Sequence, residues 1–178
     1  MKTVWHSCGM SSRRFRILAT QLIAGLLAGC AFAPYSPSGV PPGASRAEVE
    51  RIMGPPTGVY TMPDGHVRLE YNHMPFGKHT FMIDLDAGGS VAHWENVLDE
   101  KHFDAIQPGQ TMDEVLRQIG PPSFKWHYLL PRPGGNTWLY RFETIQRCTL
   151  FEVSFDAATG KVIDGDYPPD PACPDEHF

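Results

Sequence analysis

The stretch Pro42-Gly43-Ala44-Ser45-Arg46-Ala47-Glu48-Val49-Glu50-Arg51-Ile52-Met53-Gly54-Pro55-Pro56 returns 66 residues later as Pro108-Gly109-Gln110-Thr111-Met112-Asp113-Glu114-Val115-Leu116-Arg117-Gln118-Ile119-Gly120-Pro121-Pro122. Pro-Gly, Ser/Thr, Glu-Val, Arg and Gly-Pro-Pro coincide, which is the mark of an internal duplication. Each copy opens with a capping box, Ser45-x-x-Glu48 or Thr111-x-x-Glu114. The hydroxyl accepts from the amide three residues on, and the carboxylate reaches back to the cap amide. One apolar face follows in each (Val49, Ile52, Met53; Val115, Leu116, Ile119). Gly54 and Gly120 then suit the left-handed position that ends a helix, and the prolines beyond them prevent continuation. The spacing predicts helices of about two turns, too short to stand alone, so each must pack on a sheet.

Outward from the helices the period changes to two. Val67, Leu69 and Tyr71 alternate, as do Phe81, Ile83 and Leu85; in the second copy Trp138, Tyr140 and Phe142 alternate, then Phe151, Val153 and Phe155. Alternation of this kind marks strands with one buried face. Leu69-Glu70-Tyr71 matches Trp138-Leu139-Tyr140 at an offset of 69, and 81–86 matches 151–156 at 70, so small loop insertions explain the drift. Turns fall at 63–65, 87–89, 133–136 and 158–160, and a third strand closes each copy near 91–97 and 161–164. The expectation is an α+β protein of two tandem repeats, 42–104 and 105–167, followed by a tail at 168–178. Each repeat is a short helix, or helical pair, packed on a three-stranded antiparallel meander.

The N-terminal region has a different character. Arg13-Arg14-Phe15-Arg16 precedes an apolar run from residue 17 to 28 that is too short to span a bilayer, which needs about 20 residues. The run ends Leu27-Ala28-Gly29-Cys30. The alternative is a buried N-terminal helix, but such a helix has no need of three arginines and a small-small-Cys ending. A start at Met10 would give a leader of more usual length. Residues 30–41 are rich in Pro, Ser and Gly and read as an extended tether.

Removing residues 1–29 takes away four cations (Lys2, Arg13, Arg14, Arg16) of 15 and none of the 20 acids, so the net charge falls from −5 to −9. An acidic domain without a basic patch argues against nucleic acid and against electrostatic attachment to anionic lipid. With 42 % hydrophobic residues, including ten Phe, six Tyr and four Trp, a packed core is expected.

Leu27-Ala28-Gly29-Cys30 resembles the bacterial lipobox. That resemblance implies a signal peptide at 1–29, diacylglyceryl transfer to the Cys30 thiol, cleavage before it and acylation of the new N-terminus. Ala31, rather than Asp, after the anchor implies sorting to the periplasmic face of the outer membrane. The repeats resemble the SmpA/OmlA family, the BamE-like lipoproteins. The residues that carry this are Gly-x-Ser/Thr-x-x-Glu-Val-x-x-x-x-Gly-x-Pro with Trp/Leu-x-Tyr, here 43–56 with Leu69 and Tyr71, and 109–122 with Trp138 and Tyr140. The resemblance implies a non-enzymatic protein that supports β-barrel insertion or envelope integrity by binding envelope proteins, with no cofactor beyond the lipid on Cys30. The typical member has one such unit and this chain has two. The tandem form resembles the β-lactamase inhibitor proteins, which implies as an alternative the binding of a periplasmic enzyme through a joined sheet.

With Cys30 lipidated, Cys148 and Cys173 remain as an expected disulfide in an oxidising compartment, against two free thiols or a bridge between molecules. Cys148 lies out of phase with Phe151, Val153 and Phe155, so it is expected to face away from the core. The histidines at 66, 73, 79, 93, 102, 127 and 177 lack ligand spacing; His73 and His79 fall across a hairpin, but solvated surface histidines are the stronger reading and no metal site is expected. Asp84, Asp86 and Asp156 read as solvent-facing at strand ends. No nucleophile elbow, P-loop or dinucleotide fingerprint is found. Tyr60, Trp94, Trp126 and Tyr128 lie near strand edges or opposite the main core set. Each alone is ordinary packing, whereas several exposed together would mark a protein-binding surface.

Overall fold

Ser45 and Thr111 each start a helix, as the capping pattern predicts. In the computed structural model, which describes residues 36–126, 136–144 and 148–172 (Trp126 by its backbone alone), these are α1, Arg46–Met53, and α3, Met112–Ile119. The described residues lie within one compact unit, Pro34–Phe178. The lipobox, Cys30, Tyr128 and Cys173 fall outside them. Ser45 and Thr111 Oγ accept from the amides of Glu48 and Glu114 at 3.3 Å. The reciprocal half differs between the repeats. Glu114 Oε2 accepts from the Thr111 amide at 2.7 Å, completing the box. Glu48 instead stands 3.8 Å from Arg51 along its own helix, so the full box expected in the first repeat is half formed. Thr111→Ala is therefore expected to cost about 1–2 kcal/mol and Ser45→Ala about half of that. Urea denaturation of the two variants checks the order.

Each helix is followed by four strands rather than three. β1 (Gly58–Thr61), β2 (Val67–Asn72), β3 (Thr80–Leu85) and β4 (Val91–Asn96) form one antiparallel sheet in the order 1-2-3-4. β5 (Phe124–Trp126), β6 (Asn136–Arg141), β7 (Leu150–Phe155) and β8 (Val162–Asp166) form the other, in the order 5-6-7-8. The three expected strands of each repeat are present within one or two residues, and β1 and β5 are the additions. They hide in sequence because they are short edge strands. β1 leaves Val59 49 % exposed and turns Tyr60 to the face opposite Leu69, so no apolar alternation announces it. The register shifts at the same place in both repeats, between Asp84 and Leu85 and between Ser154 and Phe155. A further short helix, α2 (Glu100–Phe103), capped by Asp99, joins the repeats.

Two apolar clusters fill the unit. In the first, Val49 and Met53 of α1 meet Leu69, Tyr71, Phe81, Ile83 and Leu85 on one face of the first sheet, with Trp94 beside them. In the second, Val115 and Ile119 of α3 and Phe103 of α2 meet Trp138, Tyr140, Phe151, Val153 and Phe155. Met82, from the opposite face of the first sheet, belongs to this second cluster, with half-buried Tyr60 and Met74 against it. The layers therefore run α1, first sheet, α3, second sheet. No ladder joins the two sheets among the described residues, so the joined sheet of the inhibitor-like reading is not formed by strand pairing.

In both repeats a tyrosine fastens the helix to its sheet. Tyr71 Oη donates to the Gly54 carbonyl and Tyr140 Oη to that of Gly120, each at 3.1 Å, occupying a carbonyl that the helix end leaves without a partner. This is the physical content of the Trp/Leu-x-Tyr pattern. Burial, then the Glu50 carboxylate, raises the Tyr71 phenol to about 12. Burial first, then Tyr60 and Glu70, raises that of Tyr140 well above its ordinary value.

Candidate functional site

The seam between the repeats is built from the polar residues of the first sheet's second face. Glu70 is 1 % exposed. Tyr60 Oη donates to its Oε2 at 2.5 Å and Thr57 Oγ1 to its Oε1 at 2.8 Å, and Asn72 Nδ2 donates to the same Oε1. Burial, and next the bond to Glu70, pushes the Tyr60 phenol far above its ordinary value. Beside this group, Arg68 forms a two-pronged pair with Asp84, Nε to Oδ1 at 2.7 Å and Nη2 to Oδ2 at 2.8 Å. Its Nη1 donates to the Arg117 carbonyl in the last turn of α3 at 3.0 Å. Burial opposes ionisation of Asp84, but Arg68 and then His66 outweigh it and hold the carboxyl below the usual range. Asp84 is thus part of the seam rather than solvent-facing as expected. Asp86 is exposed and Asp156 half-buried, and they cap their own turns through the amides of Gly88 and Ser90 and of Ala158 and Thr159.

The two repeats point the same way, which gives the unit two distinct ends. At one end the chain comes in through residues 40–44: Gly43 N–H donates to Val91 O and Val91 N–H to Ala44 O. The second repeat copies this with Gly109 N–H to Val162 O and Val162 N–H to Gln110 O. At the other end stand the β2–β3 loop, 73–79, and the residues following β6. His79 Nε2 lies 3.5 Å from Glu143 across the repeats, and Ser123 Oγ 3.4 Å from Met74 Sδ. The C-terminal stretch returns to this end, where Asp170 N–H donates to Cys148 O and Arg141 Nε to Asp170 at 3.0 Å. Six strand residues at about 3.4 Å each separate the ends by about 20 Å.

The 73–79 loop is fastened from within. Asn72 Oδ1 accepts from the Met74 amide at 3.0 Å, Met74 packs against the second cluster, and Gly77 N–H closes on His73 O at 2.9 Å. A Cβ on Gly77 would stand 3.0–3.1 Å from His73 atoms, a close approach that glycine allows without displacing the turn. Phe76 is turned out, 83 % exposed, beside a hollow of about 490 Å³ lined by His73, Gly77, Lys78, His79 and Glu143.

The sequence-derived candidates fare differently. Tyr60 and Trp94 do not come together: Tyr60 serves the seam, and Trp94 packs edge-on to Phe81 on the opposite face. The side chain of Trp126 and all of Tyr128 fall outside the described residues. Cys148 is exposed and disulfide-bonded; Cys173, its expected partner, lies outside the described residues. His73 and His79 share the loop, and among the described residues no group of three His, Cys, Asp or Glu is placed to hold a metal ion. Phe76 escaped sequence reasoning because a single Phe in a Pro-Phe-Gly turn has no period.

The fold defines the class as an α+β protein with two four-stranded antiparallel sheets. No protein-family model and no curated protein matches the chain.

Proposed function

We propose that the chain is a lipid-anchored protein of the outer membrane, SmpA/OmlA-like in tandem form, that binds envelope proteins from the periplasmic face in β-barrel assembly or envelope integrity. The observation that supports this most is the polarity of the unit. The chain comes in at residues 40–44, behind the tether and Cys30, while the fastened loop and the Cys148 disulfide lie at the opposite end. Of the expected tether, Pro37–Gly39 form a 3-10 helix and Pro37 and Val40 are buried, so the stretch from Cys30 to Ser36 reaches at most about 20 Å, enough to hold one end near a bilayer and leave the other for partners. The buried carboxylate Glu70 is held by three donors within the seam, a use of charge that rigidifies a scaffold. Six residues of lipobox and flank (Leu27, Ala28, Gly29, Cys30, Ala31 and the preceding Leu26) direct the test to one atom, the Cys30 sulfur. Cys30→Ser is expected to leave the precursor unprocessed, unlipidated and absent from the outer-membrane fraction. Unchanged processing and membrane association would overturn the tether. Co-purification of the wild type with the barrel-insertion complex is the expected partner result, and a soluble periplasmic enzyme recovered in its place would favour the inhibitor-like role.

A further inference from the structure

Phe76 is the most exposed large apolar side chain among the described residues. It sits on a turn whose backbone and neighbours are tied down by Asn72, Met74 and Gly77. A pre-ordered turn loses little freedom on binding, so an aromatic presented this way is suited to be the anchor of an interface. The charge around it runs against that of the chain. Residues 72–80 carry the cation Lys78 and no acid, in a chain whose residues 30–178 carry −9. Glu143, the acid lining the hollow, stands 3.5 Å from His79. Asp170 is opposed by burial but held below the ordinary carboxylate range by its bond to Arg141, the Ala172 amide and the fields of Arg141 and Lys78.

We infer that Phe76, Lys78 and the hollow beside them form a docking site for a segment of a partner protein that presents an apolar side chain flanked by carboxylates. Phe76 supplies contact area, the hollow takes the partner's apolar group, and Lys78 pairs with its acid. A second copy is disfavoured because two chains of −9 repel each other. The tether's own bilayer is disfavoured because the site lies about 20 Å from where the chain comes in. The inference deepens the proposed function and rests on it only for the compartment in which the partner is met.

The test uses the full chain in its own membranes, with the photo-reactive residue benzoylphenylalanine replacing Phe76 and, as a control, replacing Val59, which is 49 % exposed elsewhere. The expected result is a protein adduct at 76 but not at 59, mapped to a peptide with an apolar residue between acids. Lys78→Glu should lower its yield by about tenfold, the loss of roughly one charged contact. Lys78 is exposed, and an unchanged urea midpoint for the variant shows that the fold is retained. The inference is overturned by an adduct to lipid, an adduct to a second copy, no protein adduct, or a yield indifferent to Lys78→Glu. Membrane fractionation of the same cells separates the two readings, since loss of the tether removes the protein from the outer-membrane fraction whether or not the adduct forms.

Discussion

Gly120→Ala is expected to destabilise the folded chain by about 2–4 kcal/mol, far more than a typical exposed glycine-to-alanine change at a helix end. Gly120 has φ 75° and ψ −170°, a region essentially restricted to glycine, which alone costs about 1–3 kcal/mol for any other residue. Space is the second part. A Cβ built there would stand 2.9 Å from Thr80 Cγ2 and 3.2 Å from Glu70 Oε2, both on the first sheet. Thr80 is fully buried and Glu70 is held by its three donors, so neither can move aside cheaply. The alanine methyl would thus push the end of α3 off the seam and weaken contact between the repeats, including that of Met82 with the second cluster. Urea unfolding followed by tryptophan fluorescence measures the loss. A change below about 0.5 kcal/mol would show that the seam yields and that the close approach is not needed. Gly65 gives the comparison: it also has positive φ, at 89°, but nothing lies within 4 Å, so its alanine variant should show backbone strain alone.

The same glycine shows how far the sequence could be read. Its role as a helix stop was plain from Gly-Pro-Pro after an apolar face, and with it came both helices and six of the eight strands. Its role in the seam was not. Strand alternation assigns Arg68, Glu70 and Asp84 to a solvated face, because polar residues at every second position normally mean water. Here α3 covers that face, and the polar residues satisfy one another and the helix end. Duplication hid the fact, since the equivalent positions in the second repeat are Thr137, Leu139 and Ser154 and share no pattern with them. Once the stacking is known, Met82 stands out as an apolar residue on the wrong side of an alternating strand, buried to 1 % exposure. Tyr60 shows the same thing among the aromatic candidates. Tyr60 lay outside the main core set, but that placed it in the seam rather than in solvent.

Removing the Arg68 guanidinium is expected to cost about 3 kcal/mol near neutral pH, because Arg68→Ala leaves Asp84 ionised and mostly covered, and leaves the Arg117 carbonyl without its donor. The side chains of the pair are 14 % and 19 % exposed, so the effect belongs with buried rather than surface ion pairs, reduced somewhat by residual water. Arg68→Met with Asp84→Leu, which removes both charges and keeps the volume, should regain much of the loss; recovery of nothing would mean that the bond to Arg117, and not the buried charge, is what matters. Acid distinguishes these further. The Asp84 carboxyl in the folded chain lies below its unfolded value of about 3.9, so the folded state binds fewer protons there. Its contribution is complete above the unfolded value and is lost as pH falls through the depressed folded value. The gap between wild type and Arg68→Ala should therefore be widest above about pH 5 and shrink steadily below 4, whereas the Gly120→Ala gap, which involves strain and space, should not follow that titration. If both gaps run in parallel down to acid, Arg68 holds α3 through its carbonyl contact alone, and the seam is mechanical rather than electrostatic.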